Sequence, residues 1–127
     1  MSETMNGTAS EHTADFHANW TAGMVKMKLK APDIGRAFGG MFQVLMMDGA
    51  LASRDKELIA VGIAVATRCE ACILSHVEKS LKLGATPEQI MEAGGVGVVM
   101  QGGPAYVHMP DVMNAIEFFQ AKAAKAG

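Results

Sequence analysis

The chain has 127 residues, half of them hydrophobic, a formal net charge of −2 and an isoelectric point near 6. That length suits one domain with a buried core, and the lack of any basic block argues against a nucleic-acid partner. The polar start MSETMNGTASEHT does not read as a signal peptide, and the longest apolar run near the middle, LIAVGIAVA at 58–66, is far too short to cross a membrane.

Residues 1–9 read as disordered, which leaves 10–127 as a single domain. Phe16, Trp20, Met24 and Met27 recur at helical spacing and predict a helix over 10–29. Pro32 suits the first turn of a second helix. Ile34, Phe38, Met41, Phe42 and Leu45 mark its apolar face, and Asp48-Gly49 ends it. Ser53 is the expected N-cap of a third helix over 54–67, apolar nearly all round and therefore buried.

A fourth helix is expected from Cys69 or Glu70 to Leu83, with Gly84 as its stop. Thr86, Pro87 and Gln89 form a capping box that restarts the chain as a fifth helix. Gly94, Gly95 and Gly97 weaken that helix and permit close helix–helix contact, as in an oligomer core. Gly102-Gly103 breaks it. Pro104 then opens a last helix to Lys125, with a kink expected at Pro110. The reading is all-α, with five or six helices. Eleven methionines serve as adaptable packing residues, and the Met- and Gly-rich stretch 90–113 is the candidate interface between subunits.

Cys69 and Cys72 are the only cysteines, in the run CEACILSH that ends at His76. A gap of two residues allows the sulfurs to reach disulfide distance where a helix begins. Cys72 and His76 share a helix face by their i, i+4 spacing. A thiol attacks only as thiolate, and free cysteine titrates near ~8.5. A helix N-terminus favours the negative form, and His76 can take the proton. Glu57 can orient His76 and stabilise its cationic form if the third and fourth helices pack antiparallel across Thr67-Arg68. A carboxylate–imidazole–thiol relay follows.

Other readings stand beside this one. The pair and His76 could bind zinc, with His12, His17 or His108 as fourth ligand, although the second ligand knuckle common in such sites is missing. The cysteines could also be inert core residues. Ile73 after Cys72 excludes c-type haem attachment. Glu57 alone reads as a solvated carboxylate among Arg54, Asp55 and Lys56. Tyr106 and His108 read as structural, His12 and His17 as solvated. Arg68 either promotes the Cys69 thiolate or only faces solvent.

The order Glu57, eleven residues, Cys69-x-x-Cys72-x-x-x-His76 resembles the signature of the alkylhydroperoxidase D-like branch of the carboxymuconolactone decarboxylase family. The flanking sequence RDKELIAVGIAVATRCEACILSHVEKSLKLGATPEQIMEA and the GGPA element at 102–105 agree, so the resemblance spans about residues 30–120. It implies an all-α fold, assembly as homo-oligomers (trimers or hexamers), and peroxidase or disulfide-reductase chemistry without a cofactor or metal. Cys72 is then the thiol activated by His76 and Glu57, and Cys69 its disulfide partner and the contact for a reductant. In the best-studied branch the reductant is a lipoyl-bearing protein. Two features depart from that branch. The chain carries one copy of the unit that the larger hydroperoxidases hold twice, and Ala71 stands where some of them have a histidine.

The expected function is a thiol-dependent peroxidase that reduces hydroperoxides as Cys69 and Cys72 form a disulfide. A thiol or dithiol, lipoyl-bearing or thioredoxin-like, would regenerate the pair. A thiol–disulfide oxidoreductase and a non-enzymatic redox-sensing oligomer are the alternatives. A soluble cytoplasmic protein is expected, where a Cys-x-x-Cys pair is catalytic or metal-binding rather than a structural staple.

Overall fold

The structure, a computed structural model, describes the backbone of residues 2–126 and the side chains of residues 8–126. Its elements are α1 (Ser2–Lys30), α2 (Pro32–Leu45), α3 (Ser53–Ala66), α4 (Glu70–Lys82), α5 (Pro87–Gln101), α6 (Gly103–Tyr106) and α7 (Met109–Ala126). The all-α expectation holds: among the described residues there is no strand, and α6 is a single turn beside six longer helices. No helix among the described residues is long and apolar enough to cross a membrane.

The core lies among α3, α4, α5 and α7. Val61 and Val65 of α3 meet Ile73 and Val77 of α4, Ile90 of α5, and Val112, Ile116 and Phe119 of α7. Full burial of each such side chain stabilises the fold by roughly 1.5–3 kcal/mol. Glycine sets how closely α3 and α5 approach. A Cβ on Gly62 would sit 2.9 Å from the Ala93 carbonyl oxygen, and Gly97 faces the Gly62 backbone. Gly94 leaves room for the Met109 thioether. The close contact predicted for Gly94 and Gly97 therefore forms within the chain, while Gly95 meets nothing there.

α1 crosses α4 and α7, with Phe16 and Trp20 resting against the core. α2 packs on α1 and buries none of its residues. Ile34, Phe38, Met41, Val44 and Leu45 all stand exposed along it. The 46–52 connection to α3 is pinned by side chains. The Ser53 amide donates to Asp48 Oδ1 at 2.7 Å, Ser53 Oγ donates to the Met46 carbonyl at 2.7 Å, and Lys56 Nζ donates to the Leu45 and Met47 carbonyls. Hydrogen bonding by Ser53, its backbone amide first and its side chain second, holds the Asp48 carboxyl below its ordinary range.

Local details differ from the sequence reading. Ser53 is the first residue of α3 rather than its cap, because its hydroxyl is drawn back to Met46 and Ala52 takes the cap position. The helix expected from Pro104 to Lys125 is two helices. α6 ends at Tyr106, and His108 restarts the chain by accepting from the Asp111 amide through its carbonyl. Pro110 thus lies in the first turn of α7, where its missing N–H costs nothing, and not at a kink. α1 begins at Ser2, ahead of the start expected near residue 10. The disorder expected over 1–9 falls mostly on residues 1–7, whose side chains lie outside the described residues.

Candidate active site

The site is built at the turn from α3 to α4. The Arg68 amide donates to the Val65 carbonyl at 3.1 Å and the Cys69 amide to the Ala64 carbonyl at 3.1 Å. This pair of bonds is the Schellman pattern, in which the residue after the helix cap adopts a left-handed conformation. Glycine usually occupies that place. Here it is Arg68, with φ 57°, the one non-glycine residue with positive φ among those described. An L-residue is held there at a cost of about 1 kcal/mol. The tight reversal lays α4 back along α3, the antiparallel arrangement that the relay requires.

Cys69 is the N-cap of α4. Its Sγ accepts a hydrogen bond from the Cys72 amide at 3.2 Å. The two cysteines are joined as a disulfide, with Cα atoms 5.2 Å apart. Both are half-buried, and Cys72 packs against the core. The pair therefore closes the first turn of α4, where unpaired amides favour a negative sulfur when the bond is opened.

Glu57 and His76 meet. His76 Nδ1 donates to Glu57 Oε1 at 2.7 Å. Their side chains are 5% and 14% exposed for Glu57 and His76, so neither group can rely on water and each depends on the other. With Nδ1 committed to Glu57, Nε2 is the nitrogen left to exchange a proton, one helical turn beyond Cys72. The arrangement can hold a proton beside a half-buried sulfur and return it.

Two further side chains complete the surroundings. Phe42 of α2 stacks on the His76 ring, with centroids 5.7 Å apart and planes 19° apart. Lys79 Nζ lies 4.2 Å above the same Phe42 ring, a cation–π contact. Sequence reasoning placed Phe42 on the apolar face of α2 but could not place it on His76. The one available signal was that Lys79 lies three residues beyond His76, on the same face of α4.

The remaining histidines are elsewhere. His12, expected to be solvated, is exposed but donates to Glu70 Oε1 at 2.8 Å, tying α1 to the first turn of α4. His17 is not solvated as expected: it packs among Trp20, Phe118 and Phe119. Loss of hydration, reinforced by Lys122 and opposed by Glu78, lowers its pKa. His108 donates to Asp111 Oδ2 at 2.8 Å at the start of α7, and Tyr106 is exposed. No group of three potential metal ligands gathers among the described residues.

A cavity of about 410 Å³ opens between α3 and α5, lined by Leu58, Ile59, Gly62, Ile63, Ala66, Ala93, Val96, Gly97 and Met100. Its lining is apolar and includes neither cysteine, nor Glu57, nor His76.

With this helical frame and site in view, relatives can be compared. Residues 32–115, more than half of the chain, match the carboxymuconolactone decarboxylase family, and the chain belongs to that family. A protein encoded in a cox locus of Paracoccus denitrificans is 48% identical over 75 residues, covering 59% of this chain and 68% of its own. A protein of Cupriavidus necator is 36% identical over 85 residues, covering 67% of this chain and 73% of its own. Among solved structures, a carboxymuconolactone decarboxylase family protein of Legionella pneumophila, in its apo form, superposes with a TM-score of 0.80. It is 33% identical and covers 86% of this chain and 97% of its own. A family member from Thermotoga maritima, for which a part in the antioxidative response has been suggested, gives a TM-score of 0.65 at 25% identity. It covers 73% of this chain and 95% of its own.

Proposed function

We propose that the protein is a thiol-dependent peroxidase of the alkylhydroperoxidase-like kind, reducing hydroperoxides through Cys69 and Cys72. The observation that carries this reading is the buried Glu57–His76 hydrogen bond beside a cysteine pair at a helix start. In the reduced protein His76 takes the Cys72 proton. The thiolate attacks the distal peroxide oxygen, the O–O bond breaks, and the alkoxide leaves with a proton from His76 as alcohol. Cys72 is then a sulfenic acid. The Cys69 thiol attacks that sulfur, a disulfide forms, and water leaves. One hydroperoxide and two thiols thus give alcohol, water and disulfide. A thiol or dithiol reductant, lipoyl-bearing or thioredoxin-like, reverses the last bond by exchange. The suggested antioxidative role of the Thermotoga maritima relative agrees with this assignment.

The working assembly in this proposal is a homo-oligomer, trimer or hexamer, in the cytoplasm. Support comes from the exposed apolar side chains of α2 and from Val96, Val99, Met100, Tyr106 and Val107 around the 90–113 stretch. Exposed apolar faces of this kind mark interaction sites when they are large.

The test is to reduce the protein, add an organic hydroperoxide, and follow free thiols and intact mass in time. Rapid loss of both thiols with the mass of two hydrogens is expected. In Cys72→Ser the rate should fall by roughly a thousandfold or more. Wild-type thiols no faster than free cysteine would sink the peroxidase reading and leave disulfide exchange or redox sensing as the role of the pair.

A further inference from the structure

We propose that the Arg68 guanidinium selects the thiol that opens the Cys69–Cys72 disulfide, favouring one that carries a further negative charge such as a carboxylate or sulfonate. The proposal rests on the redox reading of the site. It begins from two turns that share one hydrogen-bond pattern. After α4, the Gly84 amide donates to Leu81 and the Ala85 amide to Ser80, as Arg68 and Cys69 do after α3. The left-handed residue of that second turn is glycine, with φ 93°. The first turn holds an arginine in the same role, although glycine would fit without strain.

Packing does not account for the arginine. Arg68 is exposed and takes no part in the core. Among the described residues it forms no ion pair. The two nearest carboxylates of the site are engaged elsewhere, Glu70 by His12 and Glu57 by His76. An arginine with no ion pair among the described residues therefore stands next to Cys69 in the chain, its backbone held left-handed and its Cα about 3.8 Å from that of Cys69. From that backbone position the side chain can bring its charge within the ~8 Å over which salt screens charge.

The chemistry gives such a group a use at Cys69. The incoming thiolate attacks Cys69 Sγ and forms a mixed disulfide. The Cys69–Cys72 bond breaks with its electron pair on Cys72, which takes a proton from His76. A second thiolate attacks the bound thiol's sulfur, releasing a small disulfide and the Cys69 thiolate, which solvent protonates. Two thiols are oxidised and one protein disulfide is reduced. Arg68, exposed and adjacent to Cys69 in the chain, attracts the remote charge of the attacking molecule in this proposal.

The experiment measures disulfide opening in the full-length oxidised protein by mercaptoethanesulfonate, 2-mercaptoethanol and cysteamine, each corrected for its thiolate fraction. If the guanidinium reaches about 7 Å from the thiol's remote charge in water, such rates change by about 2.7-fold per unit of thiol charge at low ionic strength. The wild type should prefer the anionic thiol over the cationic one by roughly sevenfold, and the preference should fade with salt. Arg68→Gly should abolish the preference while raising the thermal midpoint by about 3 °C, and Arg68→Lys should keep the preference. A wild-type charge preference in Arg68→Gly, with normal opening by 2-mercaptoethanol, overturns the role of Arg68 and leaves the redox reading intact. A wild-type disulfide that none of the three thiols opens overturns both.

Discussion

The two ends of α4 are closed by one backbone device and serve different ends. Before α4, Arg68 and Cys69 make the turn, and the next residues hold the disulfide and, one turn on, the imidazole. After α4, Gly84 and Ala85 make the same turn, and neither cysteine, nor Glu57, nor His76 belongs to it. α1 touches both ends through a histidine. His12 bonds Glu70 at the reactive end, while His17 sits in an aromatic cluster toward the other, within the field of Glu78. The difference teaches that a local rule such as glycine in a left-handed turn is kept where only architecture is at stake. It is broken where the side chain has another use.

The strongest way to break this comparison lies at the reactive end. Glu57→Gln keeps the volume and an acceptor for His76 but removes the charge. Peroxide-driven thiol oxidation should fall by roughly a hundredfold, with the helical circular dichroism unchanged. A rate close to wild type would show that Glu57 only fills space.

At the other end the expected effect is on stability alone. Gly84→Ala forces a side chain into φ 93° and should destabilise the protein by about 1 kcal/mol. Chemical denaturation measures this, and the rate of thiol oxidation should stay at the wild-type value. A matching loss of activity would mean that the two ends are not separable.

The smallest expected effect concerns His17. Its folded pKa lies below the ordinary value of 6.5, so the unfolded chain binds the proton more readily. The stability it allows is complete above about pH 6.5 and declines as pH falls through the folded value. His17→Phe should flatten that part of the stability–pH curve, read as thermal midpoints between pH 7 and 5. An unchanged slope would place the pH dependence elsewhere.

Much of the fold was legible because its signals are local. Pro32, the Thr86–Gln89 capping box and the Gly84 stop act through neighbouring residues, and each is found where the spacing put it. The helix expected from Pro104 was misread for the same reason. The restart at His108 depends on a side-chain bond to Asp111 and on packing of Met109 against Gly94, neither of which periodicity reports.

The sequence alone determined the chemical set: two cysteines at a helix start, an imidazole one turn along, and a carboxylate on the preceding helix. Covalent order and the 3.6-residue period suffice for that. Only the tertiary structure decided that Glu57 and His76 lie 2.7 Å apart, because that distance depends on how α3 and α4 pack. It also decided that Phe42 covers the imidazole, that His12 and His17 have partners, and that Arg68 is held left-handed. Such facts arise where distant segments meet, and the free energy that selects them is the burial of the shared core rather than any preference of the residues themselves.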